Sequence, residues 1–304
     1  MISVILATKN RAQALETHSL PTLLKQSAQN FEVVVWDASD TDASEKTCAA
    51  YKSAFENNGI LLHYYKAIRS GLASQRNDAT QAAKGDIIFF MDDDCEISCD
   101  AVEILQKYFK SFSWLMGAGL PMLNKVPARK RNFIAFMIMR LFWMRNTQFK
   151  RLISPSGSLS LPIVDLPGEA QWLSGGSMAY RKSVFDFIHF DERLERFGGY
   201  AMGEDYDFSH RVFLHFKQPL LITNGGYVVH CPETGERAAP TDYVASTYYN
   251  RRIIKDNFKN YNKSINSLAY LWGGVGVTIM LLSKRISLSI LYKGIKDARR
   301  ARIF

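Results

Sequence analysis

Two acidic clusters carry most of the chemistry that this 304-residue sequence can do. Asp92-Asp93-Asp94 follows the apolar run Ile87 to Met91 and offers an Asp-x-Asp arrangement of hard oxygen ligands, the kind that Mg²⁺ or Mn²⁺ prefers. Taken alone, an acidic turn is as readily a solvated surface or a helix start. Glu204-Asp205, with Asp207 close behind, opens a predicted helix from Phe208 to Phe216. Acids are favoured there by the helix dipole, and a positioned carboxylate can also take a proton from a hydroxyl. His230 follows the apolar segment Gly226 to Val229 and is either structural or a contact for a metal or phosphate. Thr8, Arg11, Asp37, Arg76 and Asn77 complete the polar candidates, and Gly175-Gly176 reads as a turn.

The elements that must position these residues alternate. Ile2 to Ala7 is an apolar strand that breaks at Thr8-Lys9-Asn10-Arg11, and a helical spacing follows through Ala14, Leu15, Leu20, Leu23 and Leu24. The unit recurs as strand Phe31 to Trp36, ending at Asp37, with a helix over Asp42 to Phe55. Strand Ile60 to Tyr65 precedes Gly71 and a helix reaching Ala83, and a fourth strand, Ile87 to Met91, ends in the acidic triplet. Such alternation predicts an α/β fold with a Rossmann-like, mostly parallel central sheet flanked by helices, whose crevice lies at the carboxyl ends of the strands. Thr8 to Arg11, Asp37 to Asp40 and Asp92 to Asp94 all sit at such ends, so they are expected to share one site.

The balance of 38 Lys and Arg against 29 Asp and Glu, a net charge of +9, favours anionic partners such as nucleotides, lipid phosphates or a membrane surface. Nucleic acid is not among the expected partners. The four cysteines Cys48, Cys95, Cys99 and Cys231 do not make a disulfide framework, and no signal peptide is apparent, which points to a reducing, cytoplasmic setting. The spacing of Cys95, Cys99, His230 and Cys231 is poor for zinc, so these thiols read as buried and inert.

The alternation fails over residues 124–167. There a basic stretch, Lys125 to Arg131, leads into Phe133 to Arg145, an apolar segment that suits either an interfacial helix or a core helix lined with Met and Phe. Ser264 to Ser283 is uncharged and flanked by cations, and its glycines and polar residues favour an in-plane helix over a membrane span. The basic tail Lys293 to Arg302 suits anionic headgroups. The domain division is therefore a catalytic unit over 1–258, with 124–167 as an insertion facing a membrane or the core, and a membrane-associating, apolar helical extension over 259–304.

Five stretches together resemble the family 2 glycosyltransferases of GT-A fold: Ser3 to Arg11; Asp37; Gly71-Leu72-Ala73-Ser74-Gln75-Arg76-Asn77 on to Gly85-Asp86 and Asp92-Asp93-Asp94; Gly175 to Arg181; and Gly203-Glu204-Asp205. The resemblance spans roughly the first 250 residues. It implies an inverting transfer of a sugar from a UDP, dTDP or GDP donor to a hydroxyl on a glycan or lipid-linked acceptor, at the inner face of the cell membrane. By that resemblance Asp94 holds the cation, Asp92 shares it or touches the ribose, and His230 adds a metal or diphosphate contact. Thr8, Arg11, Arg76, Asn77 and Asp93 shape the donor pocket, and Asp37 accepts a hydrogen bond from the base, with Asp40 and Asp42 as competing candidates. Asp205 becomes the general base, Glu204 orients a neighbour or the acceptor, and Gly175-Gly176 forms the acceptor-side turn.

Two other readings share these residues. A sugar-nucleotide nucleotidyltransferase uses the same strand-helix logic and acidic sites, but the Glu204-Asp205 segment and the lack of a Gly-rich basic loop at the N-terminus weigh against it. A non-catalytic, membrane-associated nucleotide-binding protein is the second, and the intact Asp92, Asp94 and Asp205 weigh against decay.

Overall fold

The computed structural model describes the chain except for residues 125–132, 145–150, 161–165, 198–201, 232–238, 262–266, 285 and 302–304. The basic stretch Lys125 to Arg131 lies outside the described residues, as do Arg145, Lys263, Arg285, Arg302 and part of the 124–167 insertion. The N-terminal half is the expected alternation. Strands β1 (Ile2–Thr8), β2 (Phe31–Asp37), β3 (Leu61–Lys66) and β4 (Ile87–Asp92) are parallel in the order β3-β2-β1-β4. Between them lie α1, which runs from Ala12–Ala14 through a π turn at Leu15–Ser19 into Leu20–Leu24, then α2 (Ala43–Asn57) and α3 (Leu72–Ala82).

Side-chain parity sorts these strands onto two cores. Ile2, Val4 and Leu6 of β1 pack with Val33 and Val35 of β2 on one face, whereas Ile5 and Val34 pack into the other. Nearly continuous apolar strands suit a sheet covered on both faces. From β1 the chain winds outward to β3 and then returns to place β4 on the other side of β1, so the strand order reverses between β1 and β4. Their carboxyl ends, Thr8 and Asp92, therefore flank the crevice where ligands bind in open α/β sheets.

After β4 come β5 (Cys95–Ile97), α4 (Ala101–Ser111), β6 (Gly117–Gly119), β7 (Met122–Asn124), α5 (Phe133–Leu141), the hairpin of β8 (Leu152–Ile153) and β9 (Leu159–Ser160), β10 (Gly168–Ala170) and β11 (Met178–Arg181). They are followed by α6 (Glu204–Phe216), β12 (Leu220–Ile222), β13 (Val228–His230), α7 (Pro240–Tyr261), α8 (Ser267–Ser283) and α9 (Leu288–Arg300). The main sheet of eight strands, β10-β12-β6-β11-β4-β1-β2-β3, is mixed. Strand β11 runs antiparallel to both β4 and β6, and β10 antiparallel to β12, while β12 and β6 are parallel. A second small sheet, β5-β13-β7, pairs Cys95 with His230 and Glu96 with Val229.

On α6, His210 is 8% exposed, its ring stacked on Phe213 and 4.6 Å from Phe258. Burial pulls its pKa down to about 4. Between about pH 6.5, the ordinary histidine value, and that depressed value the unfolded chain binds a proton that the folded chain refuses. This side chain therefore costs stability as pH falls through that window, by up to about 3 kcal/mol. In urea titrations His210→Gln is expected to lose less stability than the wild type between pH 7 and pH 4.5; an identical loss would remove His210 from the acid response.

Candidate functional site

Arg76 is the residue around which the site is built. It lies on α3 with 2% exposure, and its guanidinium reaches Glu204 Oε1 at 2.5 Å, Asp92 Oδ1 at 3.0 Å and the carbonyl of Gly175 at 3.1 Å. Burial disfavours its charge, but Glu204, Asp92 and Asp205 outweigh that and raise its pKa. One buried cation thus joins the end of β4, the start of α6 and the Gly175-Gly176 turn. Those glycines are close-packed: a Cβ on Gly175 would sit 3.1 Å from Arg76 Nη2, and one on Gly176 would sit 2.8 Å from Asp92 Oδ2.

Asp205 hangs from the same turn. Its Oδ2 accepts from Gly175 N at 3.1 Å and its Oδ1 from Tyr206 N at 2.8 Å. Burial raises its pKa, and it also pushes Glu204 up to about 8, with Asp205 adding to the effect and Arg76 opposing it. Asp207 is 0% exposed and occupied by Arg211 and Asn257, so it serves the packing of α6 on α7.

The acidic triplet splits by role. Asp93 is buried, accepts from Thr8 Oγ1 at 2.7 Å and lies 3.3 Å from Arg11 Nε. Its pKa is pushed up to about 7 by burial, against the pull of Arg11 and Thr8. Asp94 Oδ2 meets Arg11 Nη2 at 2.6 Å and His230 Nε2 at 3.4 Å. Burial would raise the Asp94 pKa, but the His230 and Arg11 contacts prevail and lower it, while the same contact raises that of His230.

Donor atoms of Asp92, Asp94 and Cys95 lie within 4.8 Å of one another. Burial drives the Cys95 pKa far up. The two carboxylates are the hard oxygen donors that Mg²⁺ or Mn²⁺ takes, and the His230 imidazole stands 3.4 Å from Asp94 beside them. Asp92 is the more open of the two, with its side chain 38% exposed against 7% for Asp94.

Asp37 is 0% exposed. Its Oδ1 accepts from Ser39 N at 2.8 Å and from Ser39 Oγ, and its Oδ2 accepts from Tyr64 OH at 2.8 Å. These contacts make Asp37 the anchor of the β2 loop. The polar groups facing outward nearby belong to Asn10, Asp40 and Thr41, which with Ser39 and Gln13 line an open crevice of about 380 Å³. Asn10, at a left-handed φ of 56°, donates to Asp40 Oδ2 and accepts from Asp40 N, clipping the β1 loop to the β2 loop.

Asn77 is not brought to this cluster: it bonds the backbone of Phe190 and the side chain of Glu192. Residues the sequence did not single out do join it. Gln75, whose Nε2 donates to the carbonyls of Thr8 and Trp36, holds the β1 and β2 ends together, and Ser39 and Tyr64 hold Asp37. Gln75 lay within a stretch that carried the resemblance; nothing local marked Tyr64.

The mixed sheet, with the acidic crevice at its switch point, gives the chain the GT-A fold of solved glycosyltransferases. The glycosyl transferase family 2 model matches residues 3–117. Among solved structures, residues 1–349 of S. aureus TarS in complex with UDP-GlcNAc superpose with a TM-score of 0.63 at 17% identity, covering 97% of this chain and 79% of that one. GalNAc-T7 with UDP, GalNAc and Mn²⁺ gives 0.60 at 15% identity, over 93% of this chain and 57% of that one. The mannosyltransferase PcManGT from Pyrobaculum calidifontis with GDP-Man and Mn²⁺ gives 0.52 at 17%, over 98% and 79%. The chain spans 40% of the longer S. aureus TarS structure. No curated protein matches the sequence.

Removing Arg76 strands a buried carboxylate, so Arg76→Ala should cost about 3–5 kcal/mol in urea unfolding. Combining it with Glu204→Gln should recover part of that loss. Strictly additive effects would show that the pair is not coupled.

Proposed function

We propose that this chain is an inverting, cation-dependent glycosyltransferase that uses a UDP, dTDP or GDP sugar. The observation that carries the reading is the Arg76 junction, which puts the Asp92 end of β4 and the Asp205 turn against a single guanidinium. Asp94, Asp92 and His230 are the residues that would hold Mg²⁺ or Mn²⁺. Bound there, the cation supplies charge neutralisation to the departing nucleoside diphosphate, a contribution worth several kcal/mol.

The chain's own groups do the rest. Arg11, in contact with Asp93 and Asp94, adds positive charge on the diphosphate side of the crevice. Thr8 fixes Asp93 beneath it, and Asn10 and Asp40 present hydrogen-bonding groups to the base, with Asp37 positioning their loop. Asp205, steadied by two backbone N–H groups, accepts the proton of the acceptor hydroxyl. As that proton leaves, the hydroxyl oxygen bonds to the anomeric carbon from the face opposite the diphosphate and the carbon–diphosphate bond breaks, which inverts the configuration. Glu204 holds Arg76, and thereby the Gly175 turn whose N–H steadies Asp205. A nucleotidyltransferase has no use for this acceptor-side carboxylate, and the family 2 match also favours sugar transfer.

The acceptor we infer is a glycan or lipid-linked oligosaccharide at the inner face of the cell membrane, because the C-terminal helices present an apolar face. Among the described residues no helix is long and apolar enough to cross a membrane. On α8 one face docks through Gly273 against Ser156 and through Gly276 against Phe142 and Met144. The opposite face exposes Leu268, Leu271, Trp272, Val275, Ile279 and Leu282, all at helical spacing. Leu141, the last residue of α5, and Trp143 just beyond it extend the patch, and Trp272 Nε1 donates to the Leu141 carbonyl. Exposed Lys284, Lys293, Lys296, Arg299 and Arg300 supply the cations that suit anionic headgroups.

With UDP-, dTDP- and GDP-sugars tested by mass spectrometry against lipid-linked acceptors, one donor should be consumed with inversion; retention in the product would reject the mechanism. Asp205→Asn should keep nucleotide affinity while lowering kcat by about 10²- to 10⁴-fold. The wild-type kcat should fall on the acid side with an apparent pKa above the ordinary aspartate value of about 3.9, because the base must be ionised and burial raises its pKa. Asp94→Ala should weaken UDP binding in Mn²⁺ and leave binding in EDTA unchanged. In flotation assays with anionic vesicles, Leu271→Glu with Val275→Glu should release the protein to the soluble fraction; unchanged flotation would dismiss the α8 face as the contact.

A further inference from the structure

A second donor cluster lies beside the acidic crevice. Cys95 and His230 are paired across β5 and β13, as are Glu96 and Val229. Two residues beyond Val229, Cys231 returns to the Glu96 side of the strip, and its N–H donates to the Asp94 carbonyl at 2.8 Å. His18 comes from α1, where the π turn Leu15–Ser19 carries it, and such widened turns recur at functional sites. Its Nδ1 lies 2.8 Å from Glu96 Oε1, and donor atoms of His18, Glu96 and Cys231 all fall within 4.8 Å of one another. The His18 and Glu96 side chains are 16% and 29% exposed, and Cys231 is 7% exposed.

These three donors differ in kind from the oxygen-rich set at Asp92 and Asp94. Imidazole nitrogen, thiolate sulfur and carboxylate oxygen together suit a borderline-soft cation and not Mg²⁺. One thiolate and one carboxylate balance a divalent charge, with a neutral imidazole as the third ligand. At metal–ligand bonds of about 2.0–2.3 Å, tetrahedral donors stand roughly 3.3–3.8 Å apart, against the 4.8 Å within which these donor atoms already lie. Poor spacing in the sequence hid this set, because His18 arrives from a different element.

We propose that His18, Glu96 and Cys231 form a three-ligand site for zinc(II), separate from the Asp94 cation site and clipping α1 to the β5-β13 strip that carries His230. Binding converts the Cys231 thiol to a thiolate and releases its proton to solvent, while the proton shared by His18 Nδ1 and Glu96 moves to His18 Nε2. The site stands on its own geometry and holds whether or not the chain transfers sugar.

Cobalt(II) is the probe, added to the full chain after chelator treatment and read by its thiolate-to-metal charge-transfer band. About one equivalent should generate the band, and zinc(II) should displace it. Cys231→Ser should abolish the band and His18→Ala should weaken cobalt affinity at least tenfold, whereas Cys95→Ser and Asp94→Ala should leave the band in place. Absence of the band, its survival in Cys231→Ser, or its loss in Cys95→Ser would overturn the assignment. Should Cys231→Ser fail to fold, alkylation of the wild type mapped by mass spectrometry decides: zinc must protect Cys231 and not Cys99. Equal labelling of Cys231 with and without zinc would also overturn it.

Discussion

The structure depends on one buried guanidinium. Desolvating a charge costs several kcal/mol unless it is paired and fully hydrogen-bonded, and Arg76 meets that condition only because three separate stretches of chain bring it acceptors. The requirement runs both ways. Glu204 at the start of α6 and the Gly175 carbonyl would themselves lose their partner without Arg76, so the Gly175-Gly176 turn and the β4 end cannot drift apart without exposing an unpaired group on each side. A hydrophobic contact of similar size would hold the elements together but would not fix their relative positions, because it lacks direction.

This dependence explains why part of the site was readable in the sequence and part was not. Thr8 to Arg11, Asp37 and Asp92 to Asp94 were legible because each ends an apolar run, and parallel strands deliver their carboxyl ends to one edge. Arg76 offered no such signal. On α3 the polar side chains Ser74, Gln75, Arg76 and Thr80 are the buried ones, so a pattern of polar and apolar residues could not say which face turns inward. The same limit hid Tyr64 and Ser39, which hold Asp37 from a neighbouring strand and loop.

The parallel half of the sheet was likewise plain, and the rest was not. Strands β6, β10, β11 and β12 have only three or four residues each, too short for a period to show, and β11 is antiparallel to both its neighbours. Orientation there is a tertiary outcome: Tyr180 on β11 packs edge-on against Phe208 of α6 and bonds Ser209, which seats the helix bearing Asp205. The glycine turn is similar. In sequence it reads as room for a ligand or as a simple bend, whereas the fold shows that any side chain at Gly176 would strike Asp92.

The small sheet β5-β13-β7 adds a constraint that the large one cannot. Because opposed residues on antiparallel strands share a face, pairing Cys95 with His230 places the imidazole on the side of the Asp92 and Asp94 carboxylates, and it necessarily sends Glu96 and Val229 to the other side. A register slip of one residue would exchange the two faces and take His230 away from Asp94. The backbone bond from Cys231 to Asp94 pins that register at the strip's end. The position of the His230 imidazole is therefore set by the hydrogen-bond ladder behind it as much as by the Asp94 carboxylate in front of it.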